Sequence, residues 1–360
     1  MTQTITNVAS YLPTPVNYVL MKGLLSAARK RLPYFNGTLP GQLEKSGGSA
    51  SVKWERINNL VAATATLSEA NGAPSAFLGR SFVTPSYSAI TGTVYKKGNA
   101  IAYTEEIDLL NVNTKSARLM ELLGANAGES LNALMFVSYQ GATNVRYATG
   151  AAGGGANLAS VVASISVNDI ASAVNYLDNN SARTFTPMGN GSTNIGTTPV
   201  RAGYYGICHV DVEQDIRKLT GFKDVISYGG YTATEVFEFG EVNGVRFMST
   251  QVSTIAAASG ALVSGTGLRG ITNVDVYDTF IYGQEAMGTV SLGKSFGTAS
   301  TEMYNPKVPS AVELIAKPVG SAGAADAYNE LGTMAWKAWF CGQILNQGWI
   351  TKIRSGASLL

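Results

Sequence analysis

Charge is what this sequence has least of. Of its 360 residues only 14% are Asp, Glu, Lys or Arg, against roughly a quarter in an average soluble domain. A monomer wetted on all sides needs charge to cover its surface, so a chain this poor in it is expected to hide much of that surface against copies of itself. The 26 basic and 24 acidic residues nearly cancel, leaving a net charge of +2, far from the basic excess of a dedicated nucleic-acid binder. Histidine occurs once, at His209, and cysteine twice, at Cys208 and Cys341. One histidine leaves His-based metal sites and most catalytic triads undersupplied. Two cysteines build no disulfide framework, so synthesis in a reducing cytoplasm is the simplest expectation. No apolar run reaches membrane-spanning length, and the opening residues MTQTITNVASYLPTPVNYVL lack the basic start, apolar core and cleavage site of a secretory signal. The glycosylation patterns at Asn36-Gly37-Thr38, Asn179-Asn180-Ser181 and Asn190-Gly191-Ser192 are therefore read as chance matches.

What is present is length enough for two or three structural units, 40 glycines suited to turns and extended loops, and one long periodic stretch. From Ile107 to Gly141 the sequence reads as a single helix. Asn113 or Thr114 supplies the starting cap, Met120, Leu123, Ala127, Leu131 and Leu134 recur at steps of three and four, and Gly141 is the stop.

Ahead of it, residues 1 to about 18 read as an extended arm with Pro13 and Pro15, and Val19 to Leu32 as a short amphipathic helix striped by Leu20, Leu24, Ala28 and Leu32. Lys22, Arg29, Lys30 and Arg31 form a small basic cluster, either a contact to enclosed nucleic acid or to a partner's acidic face, or a solvated helix end. Ser51 to Ile57 alternates, with Val52, Trp54 and Arg56 on one side and Lys53, Glu55 and Ile57 on the other, as a strand exposed on both faces would. Its return limb is Ser88 to Glu106, and Leu67 to Pro85 between them is rich in turns. Such a two-stranded excursion is at best marginally stable alone, so something outside its own fold, most simply a neighbouring subunit, should hold it.

After the long helix, Ala148 to Asn157 is a turning link, and Ser166 with Asp169 forms a capping box for a helix carrying Ile170, Ala173, Val174 and Leu177. A polar loop, Pro187 to Pro199, leads to a strand at Tyr204 to Val210 and a helix around Glu213 to Leu219. Strands at Glu235 to Phe239 and Val245 to Thr250 flank an Asn243-Gly244 turn; Val274 to Tyr282 and Thr289 to Leu292 add more strands to a mixed α+β unit. Leu331 to Ile353 is amphipathic, read as a final helix, and ends in a strand around Trp349 to Ile353.

Four groupings resemble chemistry. Gly288 to Ser295 satisfies the phosphate-loop pattern, with Lys294 as its lysine, but Gly297 follows early and no helix stripe succeeds it, so the phosphate-holding helix N-terminus is missing. Gly265-Thr266-Gly267-Leu268-Arg269-Gly270 matches the dinucleotide fingerprint yet precedes a strand-like segment. Cys208 and His209, adjacent in a strand, point to opposite faces and make no nucleophile and base pair; both are read as packing residues. Glu105, Glu106 and Asp108 at the foot of the hairpin read as solvated or salt-bridged surface. No catalytic, cofactor or metal residues are assigned.

The order of these elements resembles the major capsid proteins of tailed bacteriophages with the Hong Kong 97 fold, more narrowly their podovirus coat-protein branch. The resemblance rests on Val52-Lys53-Trp54-Glu55-Arg56, Thr66-Leu67-Ser68-Glu69 through Gly72 and Pro74, and Lys97-Gly98 through Thr104-Glu105. It continues with Tyr205 to Leu219, Gly240-Glu241 through Gly244-Val245-Arg246-Phe247, Val276-Tyr277-Asp278-Thr279 to Gly283 and Ala286, and Ala335-Trp336-Lys337 to Ile353. Two departures stand out: Val210 where proline is expected after His209, and no proline after Thr66, with extra residues before Pro74.

The resemblance implies an α+β Hong Kong 97 fold divided into an N-terminal arm and short helix (1–45), an extended loop formed by the long β-hairpin (46–106), a peripheral domain with a spine helix (107–165 and 326–360) and an axial domain (166–325). It implies no enzymatic activity: hexamers and pentamers would close an icosahedral phage head around double-stranded DNA, with rigid domains repositioned on expansion. Scaffolding, portal and decoration proteins are the implied partners, non-specific contact with packaged DNA is expected, and no membrane is involved. The location is the virion, after synthesis in the host cytoplasm. The alternatives are an encapsulin-like nanocompartment shell and a P-loop nucleotide-binding enzyme using Lys294.

Overall fold

The computed structural model describes residues 32–41, 50–58, 60–62, 64, 84–106, 115–150, 155–185, 202–225, 237–253, 255–263, 265, 267–290, 312–321, 328 and 330–359. Several expectations lie outside the described residues: the arm and the helix up to residue 31 with its basic cluster, most of the hairpin tip, the start of the long helix, the polar loop, Asp108 and positions 291–295.

The long helix, α1 (Lys115–Gln140), buries Met120, Leu123, Ala127, Leu131, Met135, Phe136 and Tyr139, the three-and-four spacing turned toward the core. It ends at Gly141, whose amide donates to the Ser138 carbonyl at 3.2 Å. The second helix, α2 (Val167–Asn179), opens with the expected capping box: the Ser166 hydroxyl accepts from the Asp169 amide (3.3 Å) while the Asp169 carboxylate accepts from the Ser166 amide (3.2 Å). The third, α3 (Val210–Arg217), starts three residues earlier than expected, because the His209 imidazole accepts from the Asp211 amide (3.1 Å) and serves as its N-cap.

Fifteen strands are described: β1 (Leu39–Gly41), β2 (Ser51–Ile57), β3 (Tyr87–Thr93), β4 (Tyr95–Thr104), β5 (Val145–Tyr147), β6 (Tyr204–His209), β7 (Lys223–Asp224), β8 (Glu238–Val242), β9 (Val245–Thr250), β10 (Tyr277–Tyr282), β11 (Met287–Val290), β12 (Val312–Lys317), β13 (Leu331–Phe340), β14 (Gly342–Ile344) and β15 (Ile350–Ser355). Seven of them form one mixed sheet, ordered β5-β15-β10-β6-β9-β8-β7. Its central strands β6, β9 and β10 are buried on both faces, with Arg246, Asp278 and Thr279 among the buried residues. In β10, Phe280 and Tyr282 face the core containing α1, while Tyr277 and Ile281 face a second core built with Ile170, Ala173 and Leu177 of α2 and Val212 and Ile216 of α3. The turn between β8 and β9 is the two-residue Asn243-Gly244 link, with φ of 50° and 77°, values that favour these two residue types.

Three expectations need correction. The return limb from Ser88 is not one strand: β3 pairs with β2, whereas β4 leaves the hairpin and pairs along its whole length with β13, in a sheet ordered β12-β13-β4. The change of sheet comes at Val94, which is buried and whose amide still bonds to the Ala50 carbonyl at 2.7 Å. The segment from Leu331 is no helix: in β13, Gly332, Met334, Trp336, Ala338 and Phe340 are buried in strict alternation and the backbone is paired on both edges. Nor is β2 exposed on both faces throughout, since Val52 and Trp54 at its root are buried. Elsewhere the limits shift by a few residues, as where the strand expected at Glu235 to Phe239 lies at β8.

Candidate assembly surface

The hairpin of β2 and β3 has seven cross-strand pairs, from Ser51 with Thr93 to Ile57 with Tyr87. Its root is packed: Val52, Trp54 and Val94 join Val290 of β11 and Cys341 in a small apolar core beside the sheet β1-β11-β14. Its outer end is not. Ile57 and Tyr87, directly opposite each other, are 63% and 66% exposed, and Val61 beyond them is 91% exposed. Asn58 closes this end through its amide to the Ser86 carbonyl (3.0 Å) and its side chain to the Ser86 and Ser88 hydroxyls. Lys53 and Glu55 pair at 2.6 Å in full solvent, an interaction of little net stability.

A second exposed apolar element lies between β9 and β10 in the chain. Leu262 (69% exposed) and Ile271 (99%) flank a loop whose Gly265, Gly267 and Gly270 have φ of 76°, 65° and 146°. This is the stretch that matches the dinucleotide fingerprint. Its glycines serve a tight loop pinned elsewhere: the Arg269 amide donates to the Ala357 carbonyl (2.8 Å), its guanidinium pairs with Asp211 (3.1 Å), and no helix follows.

The remaining groupings separate in space. Gly288, Thr289 and Val290 of the phosphate-loop pattern are buried within β11, so these three residues are strand and not loop. Cys208 is buried in the second core, where burial pushes its thiol well above the ordinary range, and His209 turns the other way to cap α3. Burial lowers the imidazole's pKa from 6.5; Asp211 (3.3 Å away) acts against this and Arg269 with it. Asp211 also accepts from the Tyr277 hydroxyl at 3.0 Å. Glu105 and Glu106 are exposed, the Glu105 amide bonding to the Glu330 carbonyl. Among the described residues no group of three or more His, Cys, Asp or Glu is placed to hold a metal ion, and no helix is long and apolar enough to cross a membrane.

Sequence reasoning missed two constellations. Tyr34 is fully buried against Phe136, Tyr139 and Phe280, its amide donating to the Asn132 side chain (3.1 Å) and its carbonyl accepting from the Tyr139 hydroxyl (3.2 Å). Asn132 in turn donates to Thr250 at 3.3 Å, so one polar side chain in mid-helix ties the chain's first described turn to the end of β9. The second constellation, Gln140 with Asp278, Lys352 and Arg354, joins the last turn of α1 to β10 and β15. An asparagine inside an apolar helical stripe was the signal available for the first; nothing local marks the second.

No family model matches the chain, and no curated protein matches it either. Solved structures do. The capsid of Ralstonia phage GP4 matches 90% of this chain with 88% of its own at a TM-score of 0.61 and 9% identity. The head structure of Helicobacter pylori bacteriophage KHP40 matches 91% with 91%, at a TM-score of 0.55 and 10% identity. The capsid of cyanophage Pam1 matches 93% with 93%, at 0.52 and 12%. With the mixed central sheet, the long helix and the projecting hairpin in the same chain, the protein has the α+β fold of tailed-phage capsid proteins, the Hong Kong 97 fold that the order of its sequence elements resembles.

Proposed function

We propose that this chain is the major capsid protein of a tailed phage, of the podovirus type that its motifs resemble, and that its copies close into hexamers and pentamers of an icosahedral head around double-stranded DNA. The observation that carries the reading is the two-way match to the GP4 capsid, which takes in about nine-tenths of both chains and so leaves little of either for another role. The exposed Ile57 and Tyr87 pair and the low overall charge support it, because both describe surface meant to be covered.

In this reading residues 1–45 are the arm, 46–106 the extended loop lying on an adjacent subunit, 107–165 and 326–360 the peripheral unit and 166–325 the axial unit. Strand β12, inside the axial bounds, hydrogen-bonds to β13, inside the peripheral ones. Scaffolding, portal and decoration proteins, contact with packaged DNA, location in the phage head and assembly in the host cytoplasm belong to the same proposal.

Electron microscopy of the sized, purified protein over a range of concentrations tests it. Uniform closed shells, or rings of five and six, are expected. A chain that stays monomeric with a scaffold candidate present would overturn the reading, and shells filled with an enzyme instead of DNA would replace it with a nanocompartment.

A further inference from the structure

The indole of Trp54 sits where three glycines from three different strands meet. A Cβ placed on Gly41 of β1 would stand 2.7 Å from the ring's Cζ2; one on Gly288 of β11, 2.9 Å from Cε2; one on Gly92 of β3, 3.0 Å from Cζ3. Carbon atoms in contact prefer about 3.5–4.0 Å, so each of these methyl groups would crowd the ring, and those on Gly41 and Gly92 would also meet Val52 Cγ1 and Cys341 Sγ. Val52, Val290 and Cys341 complete the walls. The indole Nε1 is buried with no hydrogen-bond partner among the described residues. Polar contacts therefore do not fix the ring; the shape of the slot does.

The slot also joins two sheets. Trp54 and Gly92 belong to the two-stranded hairpin, Gly41 and Gly288 to the sheet β1-β11-β14. A hairpin of two strands has little rigidity of its own, so the direction in which its outer end projects is set at this root. Gly288, the first residue of the phosphate-loop pattern, thereby acquires a reason that involves no phosphate.

We propose that Trp54, seated among Gly41, Gly92 and Gly288, is the positioning residue of the hairpin, fixing the angle at which it leaves the body and hence the place where its apolar end meets a partner. The last step rests on the capsid reading; the seating does not. Because the slot is lined by three glycines and apolar side chains and has no polar latch among the described residues, ring size and wall size must match, and each can be altered to offset the other.

The test uses the full chain, unassembled, carrying nitroxide labels at Ala89→Cys, exposed on the hairpin face opposite Trp54, and at Glu121→Cys, exposed on α1, with the buried Cys208 and Cys341 left in place. A single narrow distance distribution is expected for the otherwise unchanged chain. Gly288→Ala should shift or broaden it, Trp54→Phe alone should broaden it, and the pair Gly288→Ala with Trp54→Phe should regain the narrow distribution, since the smaller ring makes room for the new methyl. A distribution left unchanged by either single substitution, or a double variant no nearer the parent than Gly288→Ala, would overturn the proposal. Shell formation is scored separately by sedimentation: loss in Gly288→Ala with recovery in the double variant is expected. A parent chain that forms no shells would count against the capsid reading while the label distances still decide the slot.

Discussion

The Lys352 ammonium donates to the Gln140 backbone carbonyl at 3.1 Å and to the same residue's side-chain oxygen at 3.3 Å. The last turn of α1 has no basic residue of its own, so the cation that satisfies its terminal carbonyl arrives from β15, more than two hundred positions away. Lys352 is 4% exposed, and its pKa is lowered by burial and by Arg354, with Asp278 opposing both. Asp278 thus balances two cations, pairing with Arg354 at 2.9 Å.

Asp278→Asn should destabilise the chain by about 2–4 kcal/mol, somewhat less than a broken fully buried pair because Arg354 is partly exposed. Lys352→Met added to it should recover part of that loss, since the burial-penalised charge is then gone. Urea titration of both variants and the parent measures the coupling, and additive losses would contradict it.

The single histidine gives an isolated acid-side effect. With its pKa below 6.5 in the folded chain and at 6.5 when unfolded, His209 binds a proton more readily in the unfolded state throughout the interval between the two values. Stability should therefore fall as pH drops through that interval and level off below it. His209→Asn keeps a side-chain acceptor for the Asp211 amide and never titrates, so its urea midpoint should lack this part of the slope.

Tyr34→Ala empties a fully enclosed position among three rings of α1 and β10. A loss of about 3–5 kcal/mol is expected, as for other large aromatic truncations. Tyr34→Phe should be far milder, because the Tyr34 hydroxyl has no partner among the described residues. Thermal unfolding of the two variants side by side separates ring packing from the hydroxyl.

Substituting Ser at both Ile57 and Tyr87 should leave stability within about 0.5 kcal/mol, since these side chains are mostly exposed. Assembly should suffer instead. Light scattering at matched concentrations is the measurement, and unchanged assembly would remove this pair from the contact surface.

Legibility in the sequence followed the range of the interactions. The stripe of α1, the Ser166 and Asp169 box and the Asn243-Gly244 turn each depend on residues a few positions apart, and each is found where its residues place it. Strand β13 reads as a helix because its second face is only partly exposed and carries Leu331, Ala335 and Trp339, so apolar residues fall on both sides and blur the alternation. No proline or turn pair marks the passage from β3 to β4; the switch is made by tertiary pairing with β13. The Trp54 slot draws on positions 41, 92 and 288, and Lys352 answers Gln140; no window along the chain contains either relationship.

The position of β15 between β5 and β10 sets an order of events during synthesis. A ribosome delivers β5, β6, β9 and β10 well before residue 350 emerges, and β10 then presents one bare hydrogen-bonding edge where Ile350–Ser355 will later lie. The same holds for β4, whose partner β13 is translated more than two hundred residues after it. Nascent chains on one message therefore carry matching open edges in close proximity, a hazard of strand exchange between neighbours. The exposed lysines of β4, Lys96 and Lys97, resist such pairing in the interval, since two like charges on each open edge repel.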